Sequence, residues 1–127
     1  MASELRVNTL KDADGNNSIA TSFVAGGSAK AWQNLNGSSF GLRDSFNTAS
    51  STDNGTGDYS HTMTSAMSDA NYVVLVASRN EGTNTNTANN IHQGTAPTTS
   101  LFRFQHIENG SATDAVFLSS SVNGDLA

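Results

Sequence analysis

The stretch SLFRFQHIE (100–108) sets Phe102, Phe104 and His106 on one side and Leu101, Arg103, Gln105 and Ile107 on the other. Alternation of this kind makes a strand with one buried face. It cannot line up a stripe on a helix, whose faces repeat every three to four residues. The same constraint recurs. DYSHTMT (58–64) sets Tyr59, His61 and Met63 against Asp58, Ser60, Thr62 and Thr64, a half-buried strand with a wet side. FGLRDSFN (40–47) alternates through Phe40, Leu42, Asp44 and Phe46, and DAVFLSSSVNG (114–124) through Val116, Leu118, Ser120 and Val122. NYVVLVAS (71–78) is apolar on both sides, which predicts a central strand or a subunit contact.

Little in the chain competes for helix. Charged residues make up 13%, and Ser, Thr and Asn fill the gap. Their side chains bond the nearby backbone and favour turns and strands. With 11 Gly and one Pro, the chain reads as all-β. KDADGNNS (11–18) and NGSAT (109–113) are turn clusters, and SIATSFV (18–24) is a short strand. AGGSAKAWQNLNGSS (25–39) shows little periodicity. Residues 1–38 therefore read as an extended arm without a core of its own, and 39–127 as a compact antiparallel β-sandwich head, jelly-roll-like. Residues 79–99 show no period and read as a long loop, functional or mobile. Replacing 82–95 by a short Gly-Ser link is expected to leave folding intact. A head this small has a thin core, which association with copies of itself remedies.

Formal net charge is −5 with 6 Lys+Arg. That leaves no basic stripe for phosphates, so no nucleic-acid partner is expected. No apolar run is long enough to span a bilayer, so no membrane insertion is expected. The opening MASELRVNTL lacks the basic and apolar regions of a secretory signal. There is no cysteine, which removes disulfides and cysteine-ligated metals.

RDSFNTASSTDNGTGDY (43–59) is the densest run of acids and glycines. An EF-hand needs ligands at alternate positions, a glycine at the sixth and an acid at the twelfth. Asp53 and Asp58 do not fit that order, and Asn17 stands where DADGNN (12–17) would need the glycine. Ser51, Asp53 and Gly55 match part of the aspartate box of sialidases, but Gly57 and Asp58 replace its Thr and aromatic. The run is better explained as strand, turn and strand. Asn54-Gly55 and Gly57 supply positive φ, and Asp53 or Asp58 accepts from turn amides. His61 and His106 lie on apolar strand faces and read as core histidines, and His92 stands alone in the long loop. No metal site, cofactor or catalytic residue is expected. A glycosidase would need paired carboxylates in a cleft, and most of the acids sit at turns. The N-x-[ST] sequons at Asn16, Asn36, Asn54 and Asn109 are what an Asn/Ser/Thr-rich chain produces by chance.

SELRVNTLKDADGNNSIATSFVAGGSAKAW, then NGSSFGLRDSFNTASSTDNGTGDYSHTMTSAMSDANY, and a closing SVNGDLA resemble proteins of tailed bacteriophages, especially marine ones, commonly labelled tail fibre or structural proteins. RDSFN, TDNGTGDY, AMSDANY and GDLA carry the resemblance most specifically. It implies a non-catalytic virion protein, a homotrimer held to other virion proteins by its N-terminal arm. Within such a trimer the arms bury Leu5, Val7, Ile19 and Phe23, Gly26 and Gly27 form a tight collar, and Trp32 packs where arm meets head. Recognition of a host-surface glycan then falls on the long loop: Arg79, Asn80, Glu81, Asn84, Asn86, Asn89, Asn90, His92 and Gln93. The expected function is a trimeric short tail fibre or fibre tip. The alternative is a capsid decoration or cement protein built on the same plan.

Overall fold

A computed structural model describes residues 5–79 and 86–127, and these are mostly antiparallel strand. Near the N-terminus β1 (Thr9–Lys11) and β2 (Ser18–Ala20) form a two-stranded hairpin. Its turn is held by Asp12, whose carboxylate accepts from the backbone of Asn16 at 2.8 Å and the side chain of Asn17 at 2.7 Å. The strand expected over 18–24 stops at Ala20, and α1 (Thr21–Gly27) follows with no buried residue. Phe23 is 72% exposed and Val24 42%, and the backbone satisfies its hydrogen bonds locally.

A four-stranded sheet has the order β4-β3-β11-β7: β4 (Gly41–Phe46), β3 (Ala29–Asn36), β11 (Phe117–Asn123), β7 (Val73–Arg79). The boundary read at residue 38 does not separate β3 from this body. Ala31, Gln33 and Leu35 of β3 are fully buried. Its period of two is hard to see in sequence because the inward Gln33 is polar and the outward Trp32 is apolar. Nor is β7 central. It is an edge strand with Val74 and Val76 half-buried and Val73, Leu75 and Ala77 facing out.

The second sheet contains β5 (Thr48–Gly55), β6 (Asp58–Met63), β9 (Leu101–Glu108) and the short β10 (Ser111–Ala112), with β8 (Thr87–Ile91) also paired to β9. β8 lies inside the segment read as loop. Its sequence TANNI has no apolar alternation to betray it, because the inward Asn89 faces His106. The 82–95 replacement would therefore remove a paired strand. Asn47, at φ 53, turns the chain from the first sheet to the second, and its side chain bonds Lys30 O at 2.9 Å and Ser65 N at 2.7 Å. Gly55 and Gly57 take positive φ in the β5–β6 turn, as do Asn109 and Gly110 between β9 and β10, and Asp53 accepts from Gly55 N.

One core draws on both sheets. β3 and β11 supply Ala31, Leu35, Leu118 and Val122, and β6 and β9 supply Tyr59, Met63, Phe102 and Phe104. The rings of Tyr59 and Phe104 lie 5.8 Å apart, and those of Phe102 and Phe104 5.9 Å.

Candidate functional site

Period-two strands in two sheets that share a core leave each sheet an outward face, and the two faces differ in chemistry. On the second sheet most outward residues are polar, though Leu101 and Ile107 of β9 lie among them. Asp58 of β6 is 8% exposed and takes a bidentate pair from Arg103 of β9, with Nε at 2.7 Å. The carboxylate holds the Arg103 guanidinium above its usual pKa. His92 Nε2 stands 3.7 Å from Asp58 Oδ2. His92 Nδ1 accepts from Gly94 N at 3.1 Å, so in the neutral ring Nε2 carries the proton and points it toward the carboxylate. Asn54 donates to Ser60 Oγ at 2.8 Å. Asn90 lies across from Gln105, and Thr52 across from Ser60. This face offers amides, hydroxyls and one fixed ion pair, a set suited to hydrogen-bonding a polyhydroxylated ligand.

The expected receptor residues divide over this framework. Asn90 and Gln93 are exposed and His92 is half-buried, all beside the polar face. Asn89 points inward. It donates to Ser78 Oγ at 3.0 Å and contacts His106 Nδ1 at 3.0 Å, so its amide joins β8 to β7 and β9. Asn86 pairs its backbone with Asn109. Arg79 is exposed at the end of β7, on the other sheet. Asn80, Glu81 and Asn84 lie outside the described residues.

On the first sheet the outward face carries an apolar patch among polar residues. Trp32 lies across from Phe46 and from Ser121, and Ser121 lies across from Leu75. In the next row Asp44, Asn34, Ser119 and Ala77 stand side by side. Ser119 and Ser121 floor a groove of about 350 Å³ between Trp32 on one bank and Leu75 and Ala77 on the other. Of the expected oligomer residues, Leu5, Val7, Ile19, Phe23 and Trp32 are all exposed. A Cβ on Gly26 or Gly27 would meet nothing within 4 Å, so any close approach at the collar would come from outside this chain. Of this face the sequence singles out Trp32, and Leu75 only within a stretch that reads as a central strand or a subunit contact, while Phe46 falls in the alternation of FGLRDSFN.

His61 and His106 are fully buried in the core, as expected of them, and His92 is on the outward side of the sheet. Burial pushes the His61 imidazole down to about 4 and lowers His106 as well. Among the described residues no group of His, Asp or Glu is placed to hold a metal, and no helix is long and apolar enough to cross a membrane. Comparison with protein-family models, with curated proteins and with solved structures finds no match.

Proposed function

We propose that this chain is a bacteriophage virion protein, a trimeric short tail fibre or fibre tip that recognises host-surface glycan without catalysis. The observation that carries the proposal is the division of chemistry between the two outward faces. An apolar patch with Trp32, Phe46 and Leu75 suits burial inside an assembly. A face of amides, hydroxyls and the Asp58–Arg103 pair suits contact with sugar hydroxyls. Many weak contacts of that kind become strong attachment when copies are repeated on one particle.

Within this reading the two sheets form a sandwich of jelly-roll type. The strand order supports it: β6 leads to β7 in the other sheet, β7 to β8 back again, and β11 inserts between β3 and β7. The residues before β3 carry exposed Leu5, Val7, Ile19 and Phe23, which suits attachment to other virion proteins. The sequence resemblance to phage fibre and structural proteins supplies the biological setting.

Electron microscopy of virions labelled with gold-tagged antibody against residues 79–99 tests this. Gold at tail or fibre ends is the expected result. Gold spread over the head would overturn the tail assignment in favour of a decoration protein.

A further inference from the structure

We propose that the outward face of the four-stranded sheet is the contact between copies of this chain, and that the copies meet head to tail, the β7 edge of one against the β4 edge of the next. This deepens the trimer of the proposed function and rests on that reading only for the number three.

The row of this face through Phe46, Trp32, Ser121 and Leu75 carries no charge. Trp32, Phe46, Val73, Leu75 and Phe117 are 37–62% exposed on it. At ~150–250 Å² for a large side chain, they leave on the order of 450 Å² of apolar surface in water. A standard interface takes ~800 Å² per partner, so this apolar patch makes up about half of one partner's share. Depletion of charge at the centre with an aromatic anchor is the composition of an interface core.

The edge strengthens the case. An edge strand presents unpaired backbone groups and is normally guarded by charge, proline or a bulge. β4 has such guards: a register shift opposite Asn34 and Leu35, and Arg43 and Asp44 in its middle. β7 runs Val73–Ala77 with no charge, proline or bulge before Arg79. A strand this apolar at an open edge implies a partner.

The two charges fix the sense of the contact. Asp44 stands on the β4 edge of this face and Arg79 on the β7 edge, one row apart. A two-fold axis that joined like edges would leave both copies of Asp44 outside a β7–β7 contact, or both copies of Arg79 outside a β4–β4 contact. Head-to-tail packing sets Arg79 of one copy toward Asp44 of the next, and a heterologous contact of that kind forms a ring where the rotation between copies closes. Arg43 does not take this part. Its guanidinium bonds Leu35 O at 2.9 Å and Val116 O at 2.7 Å and lies over the Phe117 ring.

Sedimentation equilibrium of the full chain should give three times the 13.2 kDa monomer mass. Leu75→Lys and, independently, Ser121→Arg should each yield monomer with the far-ultraviolet circular dichroism of the parent. Asp44→Arg and Arg79→Asp should each weaken association at least tenfold, and the double exchange should restore it. A wild-type monomer, or trimers that persist in both Leu75→Lys and Ser121→Arg, would overturn the interface. Failure of the double exchange to restore would overturn the head-to-tail sense. A trimer whose antibody label falls on the particle head would leave this contact standing while removing the tail assignment, and a monomer at fibre ends would do the reverse.

Discussion

His61 and Ser120 tie one sheet to the other: His61 Nδ1 of β6 lies 3.3 Å from Ser120 Oγ of β11, deep in the core. The other ring nitrogen lies 2.9 Å from Thr48 Oγ1. The imidazole is held neutral by burial, its pKa lowered from 6.5 to about 4.

Acid should therefore loosen the core through this residue. Between pH 6.5 and 4 the unfolded chain binds a proton at His61 that the folded chain does not, so stability is fully present above the unfolded pKa and falls as pH drops toward 4. The loss attributable to His61 approaches about 3 kcal/mol, and His106, shifted the same way, adds to it. Urea midpoints at pH 7 and pH 4.5 measure the effect. A His61→Gln variant should show a flatter dependence, and an unchanged slope would remove His61 as its source.

Gly57 should tolerate no side chain. Its φ is +67, and a Cβ there would stand 2.6 Å from His106 O and 2.7 Å from Thr113 N. The same turn is held by Gly57 N donating to Asp114 Oδ1 at 2.7 Å, beside the Tyr59 hydroxyl on the same oxygen. Gly57→Ala should cost at least about 2 kcal/mol, read as a lowered midpoint in denaturant. Gly110→Ala, at positive φ but with nothing within 4 Å, should cost less.

Asn89 and Asn90 should separate fold from recognition. Asn89→Ala removes the link between Ser78 and His106 and should lower stability by about 1–3 kcal/mol, the cost of leaving buried polar groups unpaired. Asn90→Ala and Gln93→Ala change exposed residues and should leave the midpoint within about 0.5 kcal/mol. If the polar face binds glycan, host adsorption should fall in these two. Adsorption unchanged in both would count against that face.

The strands with apolar alternation were legible in sequence: β6, β9 and β11 stand close to where their patterns put them. β3, β5 and β8 were harder because their inward positions carry Gln33, Ser51 and Asn89. A polar side chain facing inward is invisible to a periodicity of hydrophobicity, and its partner lies far along the chain: Gln33 accepts from Ser51, and Asn89 meets His106. The helix at Thr21–Gly27 was missed for the opposite reason. SFV reads as strand in isolation, but the helix that forms there buries none of its residues. Of the candidate site, the loop residues drew notice for their amides, whereas the Asp58–Arg103 pair depends on two strands 45 positions apart meeting in register.

The place of β11 also sets how the chain reaches its fold. Its residues lie between β3 and β7, pairing Ser121 with Trp32 on one side and with Leu75 on the other. Neither neighbour can complete its ladder until this strand arrives from far along the sequence. A sheet assembled through such distant pairings closes late and slowly, on the ms-to-s scale of high-contact-order proteins. Until it closes, the apolar sides of β3 and β7 stand open together, and that interval is when chains at high concentration would cross-pair.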